Sequence, residues 1–251
     1  MNNSPNIVDE RITRALALAE RIARNVIPDL RGVPLYLVQP GAGSLVTPKL
    51  VAGFRGLYRR GLDLTLRSML EEEGRWNGPG VCVVVDAFMC FAVSAHDDDG
   101  LREVVGVTLH ELAHWLDMPG VAEYPSDDYS YPQFVACCEE RSSVACASPE
   151  YPPFFLAHGE EFIRLAAHLW YRAGHGGGMH LQPRSLAFGN SYPGLECLPS
   201  PLEIIDSLRD ELELFDDFPL RRVAALPQPA EFTALWNRTL AKMFLPAPSA
   251  A

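Results

Sequence analysis

Residues 106–120 read GVTLHELAHWLDMPG, and the fold turns on whether this stretch is a helix. Apolar residues recur through and before it at Leu101, Val104, Val105, Leu109, Leu112 and Leu116, a helical period, and the pattern predicts a helix over about 100–118. His110 and His114 are four apart, so on a helix they project from one face one turn from each other. They lie off the apolar stripe, on a face shared with Val107 and Asp117. This places the stripe against a core and turns the histidines away from it. In HDDDG (96–100), Asp98 or Asp99 can cap the helix start, because a carboxylate there accepts backbone N–H groups left without partners.

Upstream, VCVVVDAF (81–88) is rich in β-branched residues and follows Gly80, which predicts a buried strand, with FAVS (91–94) continuing it or forming a second one. VPLYLV (33–38) predicts another strand. Helices are expected over 7–27, 49–73, 133–147, 159–173, 201–216 and 229–243, although Gly53, Gly56 and Gly61 interrupt the second. Strands early and helices late indicate an α+β fold. The 251 residues suit a single domain over 1–251, with 181–251 either part of it or an appended helical region.

The formal net charge is −11, which argues against a nucleic-acid partner, since phosphate neutralisation needs clustered Lys and Arg. No run of 18 apolar residues occurs, so no membrane span is expected. The charged, amphipathic N-terminus lacks the apolar core of a secretory signal, and the cytoplasm is the expected compartment. The six cysteines form no CxxC pair and read as reduced, mostly buried thiols.

His110-Glu111-Leu112-Ala113-His114 is an HExxH pattern. Two imidazoles one helical turn apart can converge on one Zn²⁺ at about 2.0–2.1 Å each. A zinc ion lowers the pKa of a bound water to about 7, and Glu111, next to the first histidine, can take that proton and return it to a leaving amine. Asp117, three residues past His114, can orient a ligand or simply sit in solvent as a last-turn carboxylate.

A catalytic zinc needs a third protein ligand. His158, Glu139, Glu140, Glu161, and the loop histidines His175 and His180 are the candidates. HELAH (110–114) followed by HGEEF (158–162) resembles the SprT-like zincin metallopeptidases, in which a second helix opens on His-Gly-x-x-aromatic and its His completes the zinc site. The resemblance implies a zincin-like domain with a small sheet on the HExxH helix. It implies His110, His114 and His158 as ligands, Glu111 as general base, Phe162 as the residue packing one helix on the other, and a peptide or protein substrate. By the same analogy the strand at 81–88, or that at 91–94, would wall the cleft. The chain departs from the family in two respects: the spacing from His114 to His158 is longer, leaving room for the helix at 133–147, and no cysteine zinc ribbon is present. Glu139 or Glu140 therefore stays open as third ligand. His168 reads as a packed or surface histidine, His175 and His180 as flanking a flexible Gly-rich loop, and Tyr171 and Arg172 as oxyanion donors only if the fold brings them to the metal. A metal-bearing structural or interaction protein without hydrolytic activity is the competing reading of the same residues.

Overall fold

The computed structural model describes residues 6–40, 56–58, 60–117, 159–182 and 199–244. Among them are a three-stranded mixed sheet and nine α-helices, an α+β architecture. β1 (Leu35–Val38) runs parallel to β3 (Val81–Val85), and β2 (Gly56–Tyr58) pairs antiparallel on the other side of β3. The unbroken apolar runs LYLV and VCVVV have a physical cause: both faces of the sheet are covered. Leu35, Leu37, Val81, Val83 and Val85 face the main core, whereas Tyr36, Val38, Cys82 and Val84 face a second cluster with Leu62, Leu66 and Leu70. Those leucines come from two short helices, α2 (Leu62–Thr65) and α3 (Arg67–Glu72), and from Leu66 between them.

On the main-core side lie α1 (Asn6–Val26) and α5 (Asp97–Asp117). The helical spacing of Ala15, Ala19, Ile22, Ala23 and Val26 puts the buried face of α1 against α5. α5 is not one-sided: nearly every residue from Glu103 to Ala113 is buried, Val107 on the histidine face included. The helix thus sits at the centre of the molecule, with the sheet, α1 and α4 (Ala87–Ala92) on some sides and α6 (Glu160–His175) on another. Gly100 makes the α4 approach possible, since a Cβ there would stand 2.2 Å from the Phe91 ring.

Four expectations are corrected. The stretch 81–88 ends its strand at Val85, because Asp86 caps α4 by accepting from the Met89 amide at 3.0 Å. Residues 91–94 finish α4 and turn, so they form no strand. The described part of 49–73 is strand β2 followed by α2 and α3, with Gly61 at φ 76° marking the turn between strand and helix. Asp97, Asp98 and Asp99 form the first turn of α5 rather than a cap, and two of them pair with Arg11 and Arg102. The helix expected at 133–147 lies outside the described residues.

Residues 199–244 add Ile204, Leu208, Leu212, Leu220, Phe232, Leu235 and Trp236 to the main core. α7 (Pro201–Leu214), opened by a Ser200/Glu203 capping box, packs on α6. α8 (Leu220–Ala224) touches both α5 and α6, and α9 (Ala230–Phe244) lies on α7. Three buried residues of α6 bind this region. Arg164 makes two bonds to Glu211 (2.9 and 2.7 Å), His168 Nε2 lies 2.7 Å from Glu211, and Arg172 donates to the Val26, Phe215 and Phe218 carbonyls. No helix of the described residues is long and apolar enough to cross a membrane.

Candidate metal centre

The site is built where α5 meets the first turns of α6. His110 and His114 are half-buried, with ring centroids 4.9 Å apart and planes nearly perpendicular. Phe162, fully buried, stands 5.1 Å from the His110 ring and 4.4 Å from the His114 ring. One aromatic residue of α6 therefore packs on both imidazoles and restricts their rotation. It does so because α6 begins at Glu160, directly after Gly159, so that Phe162 falls in the first turn, facing α5.

Between the histidines, Glu111 projects into the interior. It is only 7% exposed, and its Oε2 accepts a hydrogen bond from the Tyr58 backbone N–H of β2 at 2.7 Å. Burial pushes its pKa up to about 8, and the Tyr58 bond opposes this only in part. No Lys or Arg of the described residues pairs with it. A carboxyl poised near neutrality suits proton transfer, and a nearby divalent cation would draw its pKa down again.

At the end of α5, Asp117 is half-buried. Burial, then the Glu161 carboxylate, raise its pKa to about 6. Glu160 is raised in the same direction by burial and by Glu161. Glu161 itself is exposed, and its Oε1 accepts from Gln228 Nε2 at 3.1 Å.

The structure thus brings together His110, Glu111, His114 and Phe162. Among the described residues, no three His, Cys, Asp or Glu side chains gather as a metal cage, and this includes Glu161. His158, Glu139 and Glu140 lie outside the described residues. The residues present fit zinc as two of its ligands: paired imidazoles on one helix face, restrained by a buried ring, with a carboxylate beside them. The other candidates are placed elsewhere. His168 belongs to the buried Glu211 cluster, Arg172 holds backbone carbonyls, and the exposed His175 stacks on Tyr171 at 4.0 Å. Cys82 and Cys90 are both buried.

Sequence reasoning missed Gly56 and Tyr58. Of Gly56, Leu57 and Tyr58 only Tyr58 favours a strand, three residues are too few to show alternation, and two of the interrupting glycines flank a stretch that otherwise reads as helical. No protein-family model, no curated protein and no solved structure matches the chain.

Proposed function

We propose that the protein is a zinc-dependent peptidase of the zincin type, similar to the SprT-like proteins, with His110, His114 and His158 holding the metal and Glu111 carrying the proton. The observation that carries this reading is the juxtaposition of two restrained imidazoles, 4.9 Å apart on one helix face, with a buried carboxylate that no Lys or Arg of the described residues neutralises. Zinc bound there would polarise the scissile carbonyl and make water nucleophilic near neutral pH. Glu111 takes the proton of the attacking water and delivers it to the departing amine. Phe162 keeps both imidazoles turned toward the metal. β3 is hydrogen-bonded on both sides, so β2, beside Glu111, is the strand along which an extended peptide would lie.

The test is hydrolysis of a quenched-fluorescent peptide library by the zinc-loaded chain and its Glu111→Gln variant. A general base contributes about 10²–10⁴ in rate, so the variant should keep zinc and fold while losing turnover by about that factor. Zinc-loaded wild type that cleaves nothing would favour the non-hydrolytic reading, in which the metal serves structure or partner binding; a variant as active as a cleaving wild type would remove Glu111 as the proton carrier.

A further inference from the structure

We propose that β2 is the positioning element for Glu111, with Gly56 and the Tyr58 amide as its working parts. This rests on reading Glu111 as the proton carrier. Two independent contacts define the arrangement. The Tyr58 N–H holds one carboxylate oxygen, Oε2, at 2.7 Å. On the other side, the Gly56 backbone lies so close that a Cβ there would stand 2.7 Å from Oε1, 2.9 Å from Glu111 Cγ and 2.6 Å from Val107 Cγ1. Such distances are shorter than real Cβ contacts, so any side chain at 56 must displace the carboxylate, the valine or the strand.

A carboxylate tied by one oxygen to a fixed backbone amide has lost most of its terminal rotation. Its second oxygen is then aimed by the strand rather than by a search among rotamers, which is what a proton carrier needs to meet its water in one geometry. The strand itself is fixed by pairing Gly56 with Val85, Leu57 with Val84 and Tyr58 with Val83. Register on β3 thus sets the orientation of the base on α5. Gly56 and Tyr58 are positioning residues, since neither touches the reacting atoms.

The first arm of the test is the ¹⁵N–¹H resonance of Tyr58 in the full zinc-loaded chain. In wild type this amide proton should lie downfield and exchange slowly. In Glu111→Ala it should move upfield and exchange at least about tenfold faster, while the amides of β3 stay in place. The second arm is Gly56→Ala. It should keep its zinc and its KM, and lose about 10- to 100-fold in kcat, the scale expected when a reacting group is misplaced by about 1 Å. A Tyr58 amide indifferent to Glu111→Ala, or a zinc-loaded Gly56→Ala with wild-type kcat, overturns the proposal. If Gly56→Ala fails to fold or to hold zinc, the amide arm decides alone. Wild type without any peptidase activity defeats the hydrolytic reading only, and the amide arm still decides whether β2 holds Glu111.

Discussion

Glu111 and Glu211 are buried to the same 7% exposure, each close to histidine, yet the protein treats them in opposite ways. Glu211 receives two bonds from Arg164 and one from His168. Burial pushes its pKa up, but the His168 and Arg164 hydrogen bonds outweigh that and leave it below the ordinary carboxylate value. Glu111 receives one backbone N–H from Tyr58, and burial prevails. A carboxylate buried to join helices is neutralised in place. One left under-compensated costs stability and is retained where chemistry uses it. α6 carries both solutions: its first turn lays Phe162 on the HExxH histidines, and its next two turns use Arg164 and His168 to lock onto α7.

The contrast breaks most visibly at Arg164. Arg164→Met leaves Glu211 buried without its guanidinium and should cost about 3–5 kcal/mol, measured by urea denaturation. A loss below about 1 kcal/mol, typical of an exposed pair, would mean that Glu211 is not truly buried.

Glu111 should respond in the reverse sense. Its folded-state pKa is raised from 4.5 to about 8. In the metal-free protein the folded state keeps a proton that the unfolded chain releases, so wild-type stability falls as pH rises through that window. Gln cannot titrate, so Glu111→Gln should gain on wild type as pH rises toward 8. Each kcal/mol gained corresponds to about 2–4 °C in Tm for a chain of this size. A Tm difference between the two chains that is the same at pH 5 and pH 9 would remove the basis of the comparison.

On the acid side the signs align for the other cluster. Burial lowers the pKa of His168, against the opposing pull of Glu211, so the folded state favours the neutral ring. Its Nε2 then donates to Glu211, and Nδ1, buried without a hydrogen-bond partner among the described residues, has nothing there to receive a second proton's bond. Stability should therefore decline as pH falls below the unfolded histidine value of 6.5, and further as Glu211 protonates below 4.5. Thermal melts of wild type and His168→Gln across pH 7 to 4 check this: the first of the two declines should be missing from the variant.

The smallest effect is expected at Phe162. Phe162→Leu keeps an apolar side chain but frees the two imidazoles. It should cost about 1 kcal/mol in stability and roughly tenfold in zinc affinity, the scale of lost ligand orientation. Unchanged affinity by competition with a chelating dye would show that the rings are held by other contacts.

Much of this organisation is legible in the sequence. VPLYLV and VCVVV announce buried strands by β-branched and apolar runs, and α1, α5, α6, α7 and α9 follow from helical spacing with caps and glycine stops. HELAH identifies its own helix face without any structure. AFMCFA (87–92) does not, because a six-residue apolar run is compatible with strand or helix, and the Asp86 cap decides only once β3 is known to end. The helix face of the histidines also reads as open, whereas α6 and β2 cover it. The Arg164–Glu211–His168 cluster joins residues more than 40 positions apart, and the Tyr58–Glu111 bond spans 53. Pairings at such separations leave no local pattern, so the two contrasting carboxylates look alike in the sequence.

The measurement that bears most directly on the central claim is zinc content by elemental analysis, on wild type, His110→Ala and His158→Ala purified side by side without chelator, with circular dichroism to show that each is folded. The account predicts one zinc per wild-type chain and its loss from both variants. Zinc retained in folded His158→Ala would remove that ligand and return Glu139 and Glu140 to consideration. A wild-type chain that takes up no zinc when it is supplied would contradict the metal centre itself.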